Sequence, residues 1–108
     1  MAQRQLIIQF RWPSPAVPDF DALVRIEDML IQAYAQNGAA VVDGHDVGLG
    51  KLNYFLYPRG SWEHAIEVAE THLDHHRLLD SAVIAKRLES EKFVVVWPRE
   101  YSGDFRVL

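Results

Sequence analysis

Residues 39–58 read Ala39-Ala40-Val41-Val42-Asp43-Gly44-His45-Asp46-Val47-Gly48-Leu49-Gly50-Lys51-Leu52-Asn53-Tyr54-Phe55-Leu56-Tyr57-Pro58, and the way they fold decides the architecture. Ala39 to Val42 is short and β-branched, and Lys51 to Tyr57 is rich in aromatics, which is the composition of strands. Between them, Asp43 to Gly50 is loaded with glycine and aspartate, residues that accept turn conformations. The stretch predicts a hairpin with an elaborate loop over 43–50, ended by Pro58-Arg59-Gly60.

Working outward, Leu6, Ile8, Phe10 and Trp12 alternate with Gln5, Ile7, Gln9 and Arg11, the period of a strand, and Pro13 and Pro15 stop it. Pro18 to Gln36 reads as a helix, with Asp19 as N-cap, Asp21 in the first turn and Asn37-Gly38 as a left-handed stop. On the other side Ser61 caps a second helix, in which Trp62, Ala65, Ile66, Ala69 and Leu73 share one face until about His76. Ser81 to Leu88 and Phe93 to Trp97, separated by Glu89-Ser90-Glu91-Lys92, predict a second hairpin ended by Pro98. The order β-α-β-β-α-β-β implies an α+β fold, a ferredoxin-like βαββαβ sandwich with an extra C-terminal strand and two helices on one face of an antiparallel sheet. Residues 1–108 fit one domain, with the 99–108 tail extended and ordered only by lying on something else.

Composition narrows the function. The chain carries 15 Asp and Glu against 11 Lys and Arg, a net charge of −4, and its arginines are scattered singly. Such a surface repels phosphate backbones and anionic lipid, so neither nucleic acid nor membrane is expected as a partner. The absence of cysteine removes disulfides, thiolate metal sites and thiol catalysis together. No apolar run reaches the length of a signal core or a membrane span, so a cytoplasmic location is expected.

Both alternating sets in several strands are apolar: Leu52, Tyr54 and Leu56 against Phe55 and Tyr57, and Phe93, Val95 and Trp97 against Val94 and Val96. Strands of this kind are usually covered on both sides. Two helices cover one side only, so the other calls for a second copy of the chain, a ligand or the tail, with a homo-oligomer the first expectation. Asn53, Tyr54, Phe55, Tyr57 and Trp97 are the candidate binding residues.

Three groups of side chains have the chemistry of a site. Asp43, His45 and Asp46 combine two carboxylates with an imidazole, the ingredients of a metal site or an acid/base pair, and Asn53 stands near them across the hairpin. In an unbroken strand Asp43 and His45 point one way and Asp46 the other; a polar loop bonding its own backbone is the competing reading. His72 and His76 share a helix face at the spacing of zinc ligands, but two histidines leave a site incomplete, and a helix C-terminus favours them without metal. Glu27 lies on the flank of the first helix's apolar arc, where it is either a buried general base or a rim carboxylate paired with a neighbour. A phosphate-cradling glycine loop and a Gly-x-Ser-x-Gly elbow are both missing. No cofactor is indicated.

The run from Asp43 to Leu56, with its Asp-Gly-His-Asp-Val-Gly-Leu-Gly start, and the closing Val95-Val96-Trp97-Pro98 resemble small bacterial proteins of uncharacterised function. The resemblance spans both hairpins and implies a bacterial origin and a compact domain, without implying a reaction. The functional expectation is a protein-binding or regulatory domain that acts non-enzymatically, as a homodimer through the open sheet face. A metal-assisted hydrolase or metal-binding protein using Asp43, His45 and Asp46 is the alternative.

Overall fold

A computed structural model of the chain describes residues 4–90 and 92–107. Glu91 of the expected second turn and Leu108 of the expected tail lie outside the described residues. The chain is α+β: β1 (Gln5–Arg11), α1 (Phe20–Asn37), β2 (Ala40–Gly48), β3 (Lys51–Pro58), α2 (Trp62–His75), β4 (Val83–Arg87) and β5 (Phe93–Trp97). The strands form one five-stranded sheet in the order β2-β3-β1-β4-β5. Every neighbouring pair is antiparallel. With β1 between β3 and β4, this order is compatible with the expected split βαβ arrangement.

The ends of α1 form for the reasons legible in the sequence. The Asp19 carboxylate accepts from the Ala22 N–H at 2.9 Å. Gly38 takes φ 68° and its N–H donates to the Tyr34 carbonyl at 2.8 Å, a left-handed stop that suits a residue without Cβ. In α2 the Ser61 hydroxyl accepts from the His64 N–H at 3.1 Å.

One core gathers residues of helices and strands: Leu6, Ile8, Phe10, Leu52, Tyr54, Leu56 and Ile84 pack with Leu23, Leu30, Ala65 and Leu73. Two buried tyrosines tie its layers together. Tyr34 donates its hydroxyl to the Ala65 carbonyl at 2.6 Å, and Tyr54 donates to the Leu23 carbonyl at 2.7 Å.

Two expectations are corrected. Residues 43–48 are strand, not loop: β2 runs on to Gly48, and the turn is only Leu49-Gly50, at φ 51° and 77°. Cross-strand pairing with β3 supplies these turn-prone residues with backbone partners, and a bulge between Val42 and Gly44 absorbs Asp43. The second correction concerns the last hairpin. Ser81 belongs to a short 3-10 turn (Leu79–Ser81), and β4 starts at Val83. A register shift pairs Ile84 with Trp97 and Ala85 with Val95, so Val96 is the extra residue. Trp97 accordingly leaves the side of Phe93 and Val95 and packs on the core, its indole Nε1 donating to the Leu79 carbonyl at 3.0 Å.

Candidate functional site

Side chains alternate along a strand, so Ile7, Gln9, Asn53, Phe55, Tyr57, Ala85 and Val95 point away from the core that holds Leu6, Ile8, Tyr54 and Ile84. Even so, Ile7 and Ala85 are fully buried, and Gln9 and Asn53 are 7% and 1% exposed. Over Gln9 and Asn53 the cover is the C-terminal tail. Phe105 sets its ring against Phe93, with centroids 5.4 Å apart, and the chain then crosses toward β1 and β3.

The polar side chains on this face hold the tail by its backbone. Gln9 and Asn53 are directly opposite in the β1–β3 register. Gln9 Nε2 donates to Asn53 Oδ1 at 2.9 Å and to the Arg106 carbonyl at 2.7 Å. Asn53 Nδ2 donates to Asp46 Oδ1 at 3.1 Å and to the Val107 carbonyl at 2.8 Å. Both N–H bonds of each amide therefore have acceptors, the condition for burying an amide without penalty. Lys51 Nζ adds a donor to the Arg106 carbonyl at 3.3 Å. Beside the tail an open groove remains, lined by Lys92, Phe93, Val95, Tyr101, Phe105 and Arg106 among others.

A second cluster lies on the other side of the sheet. His45 of β2 pairs with Tyr54 and faces α1, where the Glu27 carboxylate accepts from its Nδ1 at 2.9 Å. The two side chains are 25% and 19% exposed. Phe20, itself largely exposed, and Tyr54 place their rings 6.4 and 6.3 Å from the imidazole. Burial, and then the negative charge of Glu27, push the Tyr54 hydroxyl well above the ordinary tyrosine range. Burial does the same to Tyr34.

The candidate residues thus part company. Glu27 and His45, singled out separately, form one pair. Asp43 sits exposed at the bulge, and Asp46 points to the tail side and bonds Asn53. Asn53, Phe55 and Tyr57 share the tail face, while Tyr54 and Trp97 belong to the core. His72 is half-buried on α2, and the exposed His76 caps that helix beside His75, with ring centroids 5.4 Å apart. Among the described residues no three His, Asp or Glu side chains stand close enough together to hold a metal ion. Sequence reasoning passed over Gln9 and Lys51. The signal for Gln9 was a long polar side chain in mid-strand on the same side as Ile7.

Comparison with family models, with curated proteins and with solved structures finds no match to this chain. Among the described residues no helix is long and apolar enough to cross a membrane.

Proposed function

We propose that this chain is a non-enzymatic, regulatory protein-binding domain of ferredoxin-like architecture, with both helices on one sheet face and the partner seated on the other. The observation that carries the reading is the set of bonds from Gln9, Lys51 and Asn53 to the carbonyls of residues 106 and 107. Any polypeptide offers such carbonyls, so the grip suits an extended protein segment whatever its side chains. Ile7, Phe55, Tyr57 and Val95 supply apolar area around it. The expected homodimer through this face is the less favoured form of the reading, because a second copy has first to displace a tail already tethered there. A metal-assisted reaction at Asp43, His45 and Asp46 has less support, because those three side chains point to different places. A cytoplasmic setting suits a chain without cysteine.

The test is native mass spectrometry of the untagged protein, gently purified from cells, beside a Tyr57→Glu variant. The expected result is a homodimer or a protein complex that Tyr57→Glu dissociates. A retained metal ion that is lost on His45→Ala and indifferent to Tyr57→Glu would contradict the reading.

A further inference from the structure

Resting on that reading, we infer that residues 99–107 are a built-in competitor for the sheet face, and that the partner segment replacing them is an extended aromatic-x-aliphatic stretch of another protein. The tail itself is the template. Phe105 supplies the aromatic ring on Phe93, Arg106 gives its carbonyl to Gln9 and Lys51 while its side chain is exposed, and Val107 gives its carbonyl to Asn53. The middle position is therefore read through the backbone alone. Among the described residues its guanidinium makes a loose 3.7 Å contact with Asp104, and both of those side chains are mostly exposed, an arrangement of little energetic weight.

Two features make the tail replaceable. It forms no ladder with any strand, since residues 99–107 contain no strand and their bonds to the face come from side chains. It also leaves an open groove beside Phe105, bordered by Phe93, Val95 and Tyr101, against which a larger aromatic residue would bury more area than Phe105 does. The occupant is a different protein because a tail tethered to its own face is present at an effective concentration of about a millimolar. An identical tail on a second copy, at micromolar concentration, loses that competition. A segment with a better-fitting aromatic residue wins it.

The experiment measures binding of a fluorescent peptide with the sequence of residues 101–108 to three full-length chains: the unaltered protein, Phe105→Ala, and Phe105→Ala with Asn53→Ala. Removing the Phe105 ring weakens the internal competitor, so Phe105→Ala is expected to bind the peptide about tenfold more tightly than the unaltered chain, a gain of about 1.4 kcal/mol. Adding Asn53→Ala is expected to abolish that binding. Lys51→Met in the same background, which leaves the buried amides intact, is expected to weaken it several-fold and guards against a folding defect in the first double variant. Equal, Asn53-dependent binding to the unaltered and Phe105→Ala chains overturns the competitor while leaving the binding face standing. No binding to any chain overturns both. A dimer of the unaltered protein held by exchanged tails makes a second copy the occupant and overturns the choice of a different protein.

Discussion

Gln9 and Asn53 lie opposite each other on neighbouring strands, and the 2.9 Å bond from Gln9 Nε2 to Asn53 Oδ1 makes one donor array of two amides, aimed at the tail's carbonyls. A polar pair in the middle of an apolar sheet face is stable only while every donor and acceptor is used. Asn53→Ala removes the Val107 bond and one acceptor of Gln9, and it is expected to cost roughly 1–3 kcal/mol. Asn53→Asp keeps that acceptor but buries a charge 3.1 Å from Asp46, so at neutral pH it is expected to cost more than Asn53→Ala. The new carboxyl has its folded pKa raised by burial and like charge. The excess cost is therefore absent below the unfolded value of about 3.9 and grows as pH rises above it. Urea unfolding of both variants at acidic and neutral pH checks the sign.

Glu27 and His45 link the edge strand β2 to α1 through a partly buried ion pair. A double-mutant cycle with Glu27→Gln and His45→Ala is expected to give a coupling energy of about 1 kcal/mol, near the upper end for pairs with this much exposure. A coupling indistinguishable from zero would make the pair incidental to the fold.

The helix ends were legible because their signals are local: Asp19, Gly38 and Ser61 act on neighbouring N–H and C=O groups, so their identity alone places them. The 43–48 segment was misread as loop because Asp43, Gly44, Asp46 and Gly48 have turn chemistry, while the bonds that make them a strand come from β3. Strict alternation groups Trp97 with Phe93 and Val95, but one bulge residue inverts every later side chain, and no residue in Phe93–Trp97 marks a bulge. Glu27 and His45 were both visible as candidates; their pairing depended on how α1 lies across the sheet. The tail's resting place depended on the same long-range geometry.

Leu49 sits in the two-residue β2–β3 turn at φ 51°, next to Gly50 at φ 77°, with its side chain 83% exposed. Two successive positive φ values are the mark of a turn that favours Asn-Gly, and a leucine there carries steric strain without compensating burial. Leu49→Asn is expected to raise stability by about 0.5–1 kcal/mol, or roughly 3–6 °C in Tm. Gly50→Ala is expected to lower it by about 1 kcal/mol. Thermal unfolding followed by circular dichroism measures both.

Tyr34 and Tyr54 are buried with their hydroxyls donated to backbone carbonyls, and both are held above the ordinary tyrosine value. The folded state therefore keeps these protons more tightly than the unfolded chain. The stability linked to them is complete below about pH 10, the unfolded value, and is lost as pH rises above it. Alkaline titration is expected to release the Tyr34 and Tyr54 protons together with unfolding, and Tyr54→Phe removes one of the two from that cooperative step. Tyrosinate absorbance read in parallel with circular dichroism distinguishes this from independent titration of an intact fold.

The most direct test of the sheet face as a protein-binding surface is to follow the side-chain amide NMR signals of Gln9 and Asn53 while the peptide of residues 101–108 is added to the Phe105→Ala chain. Both signals are expected to shift with the bound fraction, with Phe93 and Val95 moving alongside them. Unmoved Gln9 and Asn53 amides, with the changes confined to Phe20, Glu27 and His45, would contradict the account and shift attention to the pair between β2 and α1.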